Sequence, residues 1–482
     1  MRKRRAKSAI VFGSGLYYNR DNGIPSLSFP VSDGGFSTDV REALRVTEKE
    51  RIERETGEWD KRFDVIADPA TREAVRDFYR TFYDPEKLIR WWASLYDPDL
   101  GGFYYANSAR DNEGFLPDME STLQIVQRLR PFDPDGDLAA YLGPEITEKM
   151  IRFYQSKQDP EDGYFYHPQW TRETSRAKVM RYTRDLDWSI AVLRWLHSAP
   201  LYPTALDRAK DAAPQGETAA KREWELNAES VTAYVNELFR TRSCESWSNT
   251  LQTQTTIFEA AGMLDTVLDI LDSKMNPDYG LWVTGYDGET DRYFNLKETP
   301  EDETPYGLYT CAYKLMIMYN EAKRPVPCPA KMAENAIKAI LSRDPGIRVT
   351  YIFNPWATLG TLRVNLNSCG TKESTAAYDA LIRTNIIGML DAVKCSLGKY
   401  RWEDGSYSFL QSGSSPTIYG TPVSLGLKEG DVNGNNLVVS FHRHICSAIG
   451  LADAVPIFSP ADARLMKELL VNAPKIVKRK PL

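Results

Sequence analysis

Four stretches of this chain join an Asp or Asn to a Gly turn and then to aromatic side chains. They are "DPDLGGFYYANS" from Asp97, "QDPEDGYFYHPQW" from Gln158, "NPDYGLWVTGY" from Asn276 and "RWEDGSYSF" from Arg401. The first gap between the turn glycines Gly102, Gly163, Gly280 and Gly405 is about half of each of the other two. A fixed period constrains a fold more than any single motif does, because each unit must bury its apolar face against the next. With that period, "RTRSCESWSN" near Arg240 and "RDPGIRVTYIFNPW" near Arg343 fill the places of two degenerate copies, which makes six units.

Each turn is preceded by an amphipathic helical pattern. These are "DPEKLIRWWASLY", "GPEITEKMIRFYQSK", "NAESVTAYVNELFRT", "LDTVLDILDSKM", "CPAKMAENAIKAILSR" and "NIIGMLDAVKCSLGK". Charge on one face makes them outer helices. Each turn is followed by a second helix, polar at its start and apolar later: "DMESTLQIVQRL", "DLDWSIAVLRWL", "SNTLQTQTTIFEAAGML", "PYGLYTCAYKLMIMYN", "KESTAAYDALIRT" and "LVVSFHRHICSAIGL". These read as inner helices.

The alternation, with almost no sustained period-two pattern, predicts an all-α fold: an (α/α)6 or (α/α)7 toroid over residues 70–482 with short β-like aromatic connectors. The seventh hairpin would come from "TREAVRDFYRTF" and "SPADARLMKELLVNA". Residues 1–69 read as an irregular N-terminal arm or small subdomain.

A net charge of -6 argues against nucleic acid, whose phosphates call for a basic face. No apolar run approaches the roughly 20 residues that span a bilayer, so no membrane partner is expected. The basic "MRKRRAK" is followed by too short an apolar stretch for a signal peptide, which points to a cytoplasmic protein or one without its leader. The six cysteines form no C-x-x-C pair, as expected of buried free thiols. The two histidines of "FHRH" diverge around a helix, and H-E-x-x-H is absent, so neither a metal nor another cofactor is expected. Assembly as a homo-oligomer stays open.

In a toroid the inner-helix starts and the aromatic turns meet at one mouth, where helix N-termini favour carboxylates. Three acidic side chains there are candidate catalytic groups: Glu120 in "PDMEST", Asp187 in "RDLDWS" and Glu245 in "CESWSN". Asp118 reads as the cap beside Glu120, one of Asp185 and Asp187 as a cap and the other as a lumen group. Glu373 and Glu403 are weaker candidates, and Asp404 a turn former. Candidate substrate contacts are Tyr105, Tyr166, Trp188, Trp247 and Trp402, whose rings suit the C–H face of a sugar, with Gln124, Asn249 and His167 as polar partners. His167 would also serve in acid–base chemistry.

This arrangement resembles the α/α-barrel carbohydrate-active enzymes, comprising glycoside hydrolases, sugar epimerases and toroid polysaccharide lyases. The resemblance implies a small-molecule carbohydrate substrate and a glycoside hydrolase working through paired carboxylates. A lyase, recruiting Tyr166, His167 and Arg181, or an epimerase using His442 or His444, is the alternative. The connectors are also similar to the Q-x-x-x-G-x-W repeats of terpene cyclases and protein prenyltransferases, but the closing Trp is missing and "DLDW" is not D-x-D-D. A non-catalytic glycan binder would keep the aromatic rings without needing the carboxylates.

Overall fold

The computed structural model describes residues 57–167, 169–207, 227–241, 243–282, 305–343, 346–452 and 455–478. The chain is mostly helical, and its strands are two-residue pieces of three separate antiparallel hairpins. The main helices are α1 (Pro69–Phe82), α2 (Pro85–Ser94), α3 (Met119–Leu129), α4 (Pro144–Gln155), α5 (Val179–Trp195), α6 (Ala228–Thr241), α7 (Cys244–Gln252) and α8 (Thr255–Ala260). They continue with α9 (Leu264–Lys274), α10 (Pro305–Glu321), α11 (Pro329–Leu341), α12 (Val349–Cys369), α13 (Lys372–Leu397), α14 (Val432–Ala448) and α15 (Pro460–Val471).

Local chemistry sets many of the starts. Asp68 and Asp84 cap α1 and α2 by accepting from Thr71 N and Lys87 N, each with Pro in the first helical position. Ser459 and Asp462 form a reciprocal capping box on α15. Asp431 caps α14 through Gly434 N and also accepts from Phe409 N and Ser415 N, so one buried carboxylate ties the preceding loop to the helix.

Six helices touch one another in sequence order: α3 packs on α5, α5 on α7, α7 on α10, α10 on α12, α12 on α14, and α14 returns to α3. The charged-face helices pack on one another and on the flanking helices, α6 on α9, α11 on α13, α13 on α1 and α2 on α15, and also against those six, α6 on α7 and α11 and α13 on α12.

The aromatic connectors share one geometry. Gly101 N, Gly163 N and Gly280 N donate to Asp97 O, Asp159 O and Asn276 O, and the acid or amide side chains accept from the turn that follows. All three glycines take positive φ, so in the first copy Gly101 rather than Gly102 makes the turn. Close approach fixes them as well. A Cβ on Gly101 would lie 2.5 Å from Lys149 C on α4, and one on Gly280 2.5 Å from Met332 N on α11. Gly405, in the last copy, abuts Lys87 on α2, so the last connector meets the first charged-face helix.

The repeat reading needs two corrections. "KESTAAYDALIRT" is not an inner helix: it is the first half of α13, which runs unbroken into "NIIGMLDAVKCSLGK" and packs on α11 and α1. Glu373 is accordingly exposed on its first turn. The inner helix of that unit is α12, whose first turns, up to Trp356, belong to the stretch expected as a degenerate connector. A helix buried on nearly every side loses the 3.6-residue polar stripe that reveals helices in sequence, and Pro355 inside α12 looks like a breaker.

The segment "SNTLQTQTTIFEAAGML" splits at Thr253–Gln254, where Thr253, Gln254 and Thr255 side chains bond back to the Thr250 and Gln252 carbonyls. All six cysteines are free thiols. Cys395 is exposed and Cys328 and Cys369 are half-buried, contrary to the expectation of burial. Of the expected N-terminal arm, residues 1–56 lie outside the described ones; Lys61–Val65 form a 3-10 turn that seats Phe63 edge-on against Tyr79. No helix among the described residues is long and apolar enough to cross a membrane.

Candidate functional site

Polar side chains from four of the six mutually packed helices, and from one hairpin, gather near the starts of α3, α5 and α7. Glu120 lies in the first turn of α3 because Asp118 caps that helix, accepting from Ser121 N at 2.8 Å and Ser121 Oγ at 2.6 Å. Capping accounts for Asp118. Burial pushes its carboxyl up to about 6.

Glu120 is 2% exposed and faces α5. Its Oε2 accepts from Arg181 Nη1 at 2.5 Å, its Oε1 accepts from Gln124 Nε2 at 3.1 Å, and Arg184 Nη1 stands 4.0 Å away. Arg181 also holds Asp185 bidentately, through Nε at 3.0 Å and through Nη2. Burial would lower Arg181, but the Asp185 and Glu120 charges outweigh it and hold the guanidinium above its ordinary value. Arg181 is thus fully engaged inside the protein.

Arg184 is built differently. It is 7% exposed, yet among the described residues it makes one hydrogen bond, from Nη2 to Asn249 Oδ1 on α7 at 3.1 Å, and its buried Nε has no partner. The guanidinium carbon lies 4.4 Å from the ring centroid of Tyr419 and 5.2 Å from that of Trp188.

Tyr419 comes from the hairpin of Thr417–Ile418 with Thr421–Pro422. Tyr419 and Gly420 both take positive φ, the pattern of a two-residue type I′ turn. The hairpin is pinned above α5, since Pro422 O accepts from Gln169 Nε2 and Trp170 Nε1.

Glu245 opens α7, half-buried, with Arg348 Nη1 3.6 Å from its carboxylate. Lys314 sits in the middle of α10. Burial, and then Arg184, lower its ammonium to about 7, while Glu120 and Glu245 act in the opposite direction. The same two glutamates and Arg184 act on Tyr419. Lys314 stays partly solvent-accessible, as do Tyr313, Tyr419 and Glu245. Asp187, one turn beyond Arg184 on α5, accepts from Thr256 Oγ1 at 2.9 Å, and burial raises its carboxyl to about 7.

Of the side chains picked from sequence, Glu120, Trp188 and Asn249 stand against Arg184, Gln124 bonds Glu120, Glu245 pairs with Arg348, and Asp187 lies one turn further along α5. Neither Asp185 nor Asp187 caps a helix, because α5 begins six residues before Asp185 at Val179.

The remaining expectations meet different outcomes. His167 is fully buried; its Nδ1 accepts from Gln169 N at 3.2 Å, so Nε2 carries the proton and donates to Pro117 O at 2.6 Å. Burial lowers it to about 3, which leaves a neutral ring that braces a turn. Tyr166 donates to Asp162 in its own connector at 2.7 Å. Tyr105 is buried beside Asp431, with its hydroxyl short of hydrogen-bond geometry. Trp247 is fully buried and stacks on Phe239 at 4.2 Å. Trp402 belongs to the connector of Gly405, which packs toward α2. His442 bonds Val439 O, while His444 packs edge-on against Tyr313 and Phe353.

Sequence reading passed over Arg184, Lys314 and Tyr419. A lone Lys within the apolar "TCAYKLMIMY" was a visible signal for Lys314, and "IYGT" ahead of Pro422 a visible signal for the hairpin. Among the described residues no group of three or more His, Cys, Asp or Glu is placed to hold a metal ion. A separate small cavity lies toward the far ends of α10, α12 and α14, lined by Glu321, Thr361, Arg443 and His444 among others.

Comparison with protein families, with curated proteins and with solved structures finds no match to this chain. Chemistry of the site therefore carries the functional reading.

Proposed function

We propose that the chain is an (α/α)6 toroid, flanked by α1 and α15, that hydrolyses glycosidic bonds at the mouth formed by its inner helices. The cyclic packing of α3, α5, α7, α10, α12 and α14, and the return of the last connector to α2, support the toroid. The observation that carries the catalytic reading is the meeting of Glu120, Arg184, Asn249 and Tyr419, from α3, α5, α7 and the hairpin, with Glu245 and Lys314 in electrostatic range.

In this reading Asp187 is the general acid, because a carboxyl raised to about 7 keeps its proton at neutral pH. Glu245, the more accessible of the two glutamates, is the base or nucleophile. Arg348 holds it in place. Glu120, nearly sealed off, is a positioning residue that orients Arg184 with Asn249.

A lyase is the second reading, favoured by one observation: among the described residues Arg184 and Lys314 are cations without a hydrogen-bonded carboxylate, lying against the Tyr419 and Tyr313 rings respectively. Incubation with a panel of oligosaccharides separates the two. Released reducing ends support hydrolysis, and ultraviolet absorbance of an unsaturated product supports elimination. Silence on both would overturn the carbohydrate assignment.

A further inference from the structure

We propose that this site takes a carboxylate-bearing sugar, a uronic acid, and that Arg184 and Lys314 clamp its carboxylate. The proposal rests on the carbohydrate reading and adds the class of substrate.

The contrast between two arginines one helical turn apart is the starting point. Arg181 spends Nε, Nη1 and Nη2 on Asp185 and Glu120. Among the described residues Arg184 has one hydrogen bond, to a neutral amide, and its ion-pair contact with Glu120 is a long one of 4.0 Å. Lys314 has no hydrogen bond or ion pair among the described residues; only the Tyr313 ring lies beside its Nζ, at 5.0 Å. Buried cations are ordinarily paired, since an unpaired one forfeits its hydration.

Here Arg184, with only a 4.0 Å contact to Glu120, and the half-buried Lys314 are brought together by α5 and α10, which both pack on α7, whose Asn249 bonds Arg184. Packing alone gives no reason to do so. An anion held between them supplies one.

The surrounding groups narrow the anion. Glu120 is committed to Arg181 and Gln124, and Glu245 faces Arg348, so neither neutralises the pair directly. Their negative charges still reach the region and would oppose a dianion more than a monoanion. A single carboxylate also matches the planar fork of Arg184, whose orientation the Tyr419 and Trp188 rings help to fix. The rest of the ligand is polyhydroxylated rather than a simple acid: Gln124 Oε1 is a buried acceptor with no hydrogen-bond partner among the described residues, which a sugar hydroxyl would satisfy.

The test is titration calorimetry on the full chain. The probes are uronic acid oligosaccharides, the same oligomers after methyl esterification, neutral glucose and galactose oligomers, and inorganic phosphate. Acid oligomers should bind, with esterification weakening them roughly 10- to 100-fold, the worth of a hydrogen bond to a charged group. Lys314→Met and Arg184→Gln should each shrink the acid-over-ester preference while leaving ester binding in place. Equal binding of acid, ester and neutral oligomers would overturn the clamp and leave the carbohydrate reading standing. Phosphate binding without any oligomer, or no binding at all, would overturn both. The acid and ester comparison on the unaltered chain does not depend on how any variant folds.

Discussion

The guanidinium of Arg184 lies 4.4 Å from the ring of Tyr419, a residue held at φ 50 on the tip of a hairpin. A tyrosine in the left-handed region costs roughly 1 to 3 kcal/mol, and such strain collects at functional sites. Tyr419→Gly should therefore fold at least as stably as the parent while losing turnover by about tenfold or more through a displaced Arg184. Tyr419→Phe should retain the ring contact and most of the activity. Melting temperature and kcat/KM on both variants check this.

Asp187 separates stability from catalysis. Burial raises its folded-state value to about 7, so its charge costs stability above that pH and costs nothing below the ordinary carboxylate range. Asp187→Asn should melt like the parent at pH 4 and higher than the parent at pH 8. If Asp187 is the general acid, turnover should fall by roughly a hundredfold or more. An Asn variant with full activity would remove the role.

Lys314 works in the opposite sense. Its folded value, about 7, lies below that of an unfolded lysine, so its charge destabilises the fold fully below pH 7 and progressively less up to the ordinary lysine range. Lys314→Met should raise the melting temperature at pH 6 and change it little near pH 10. Binding of an acid oligosaccharide should weaken as pH rises through 7. The charged groups that act on Lys314 are Arg184 from α5, Glu120 from α3 and Glu245 from α7. Glu245→Gln should accordingly lower the pH at which binding is lost.

Gly280 joins a positive φ to a backbone contact, since a Cβ there would meet Met332 N on α11 at 2.5 Å. Gly280→Ala should lower stability by about 2 kcal/mol or more, combining the left-handed penalty with displacement of the helix. Gly57→Ala has open space and no positive φ, and should be neutral. Chemical denaturation of both variants measures the difference.

His167, picked from sequence as an acid–base group, makes a discriminating control. Its buried ring is neutral and bonded at both nitrogens. His167→Gln should reduce stability without shifting the pH dependence of turnover. A lost ionisation in the pH–rate profile would show instead that His167 titrates in catalysis.

Sequence legibility followed the physics of each element. The connectors were readable because Asp97, Asp159 and Asn276 with Gly101, Gly163 and Gly280 meet a strict backbone need, and only a few residue types satisfy it. Capped, amphipathic helices such as α2 and α15 were readable for the same kind of reason. The central helix α12 was not, because uniform burial leaves no polar face to mark its period. The division expected at Thr384–Asn385 is absent, because α13 runs unbroken through these two polar residues.

By itself the sequence determined the helical repeat and its turns, and it singled out Glu120, Asp187 and Glu245, because capping, turn chemistry and amphipathic period are local properties. Tertiary structure decided which of the chosen groups share a space. It closed His167, Tyr105 and Trp247 into the interior, spent Arg181 on Asp185 and Glu120, and left Arg184 underused beside Tyr419 and Lys314 beside Tyr313. Whether a buried charge is satisfied depends on side chains distant in sequence, and residue order does not record that.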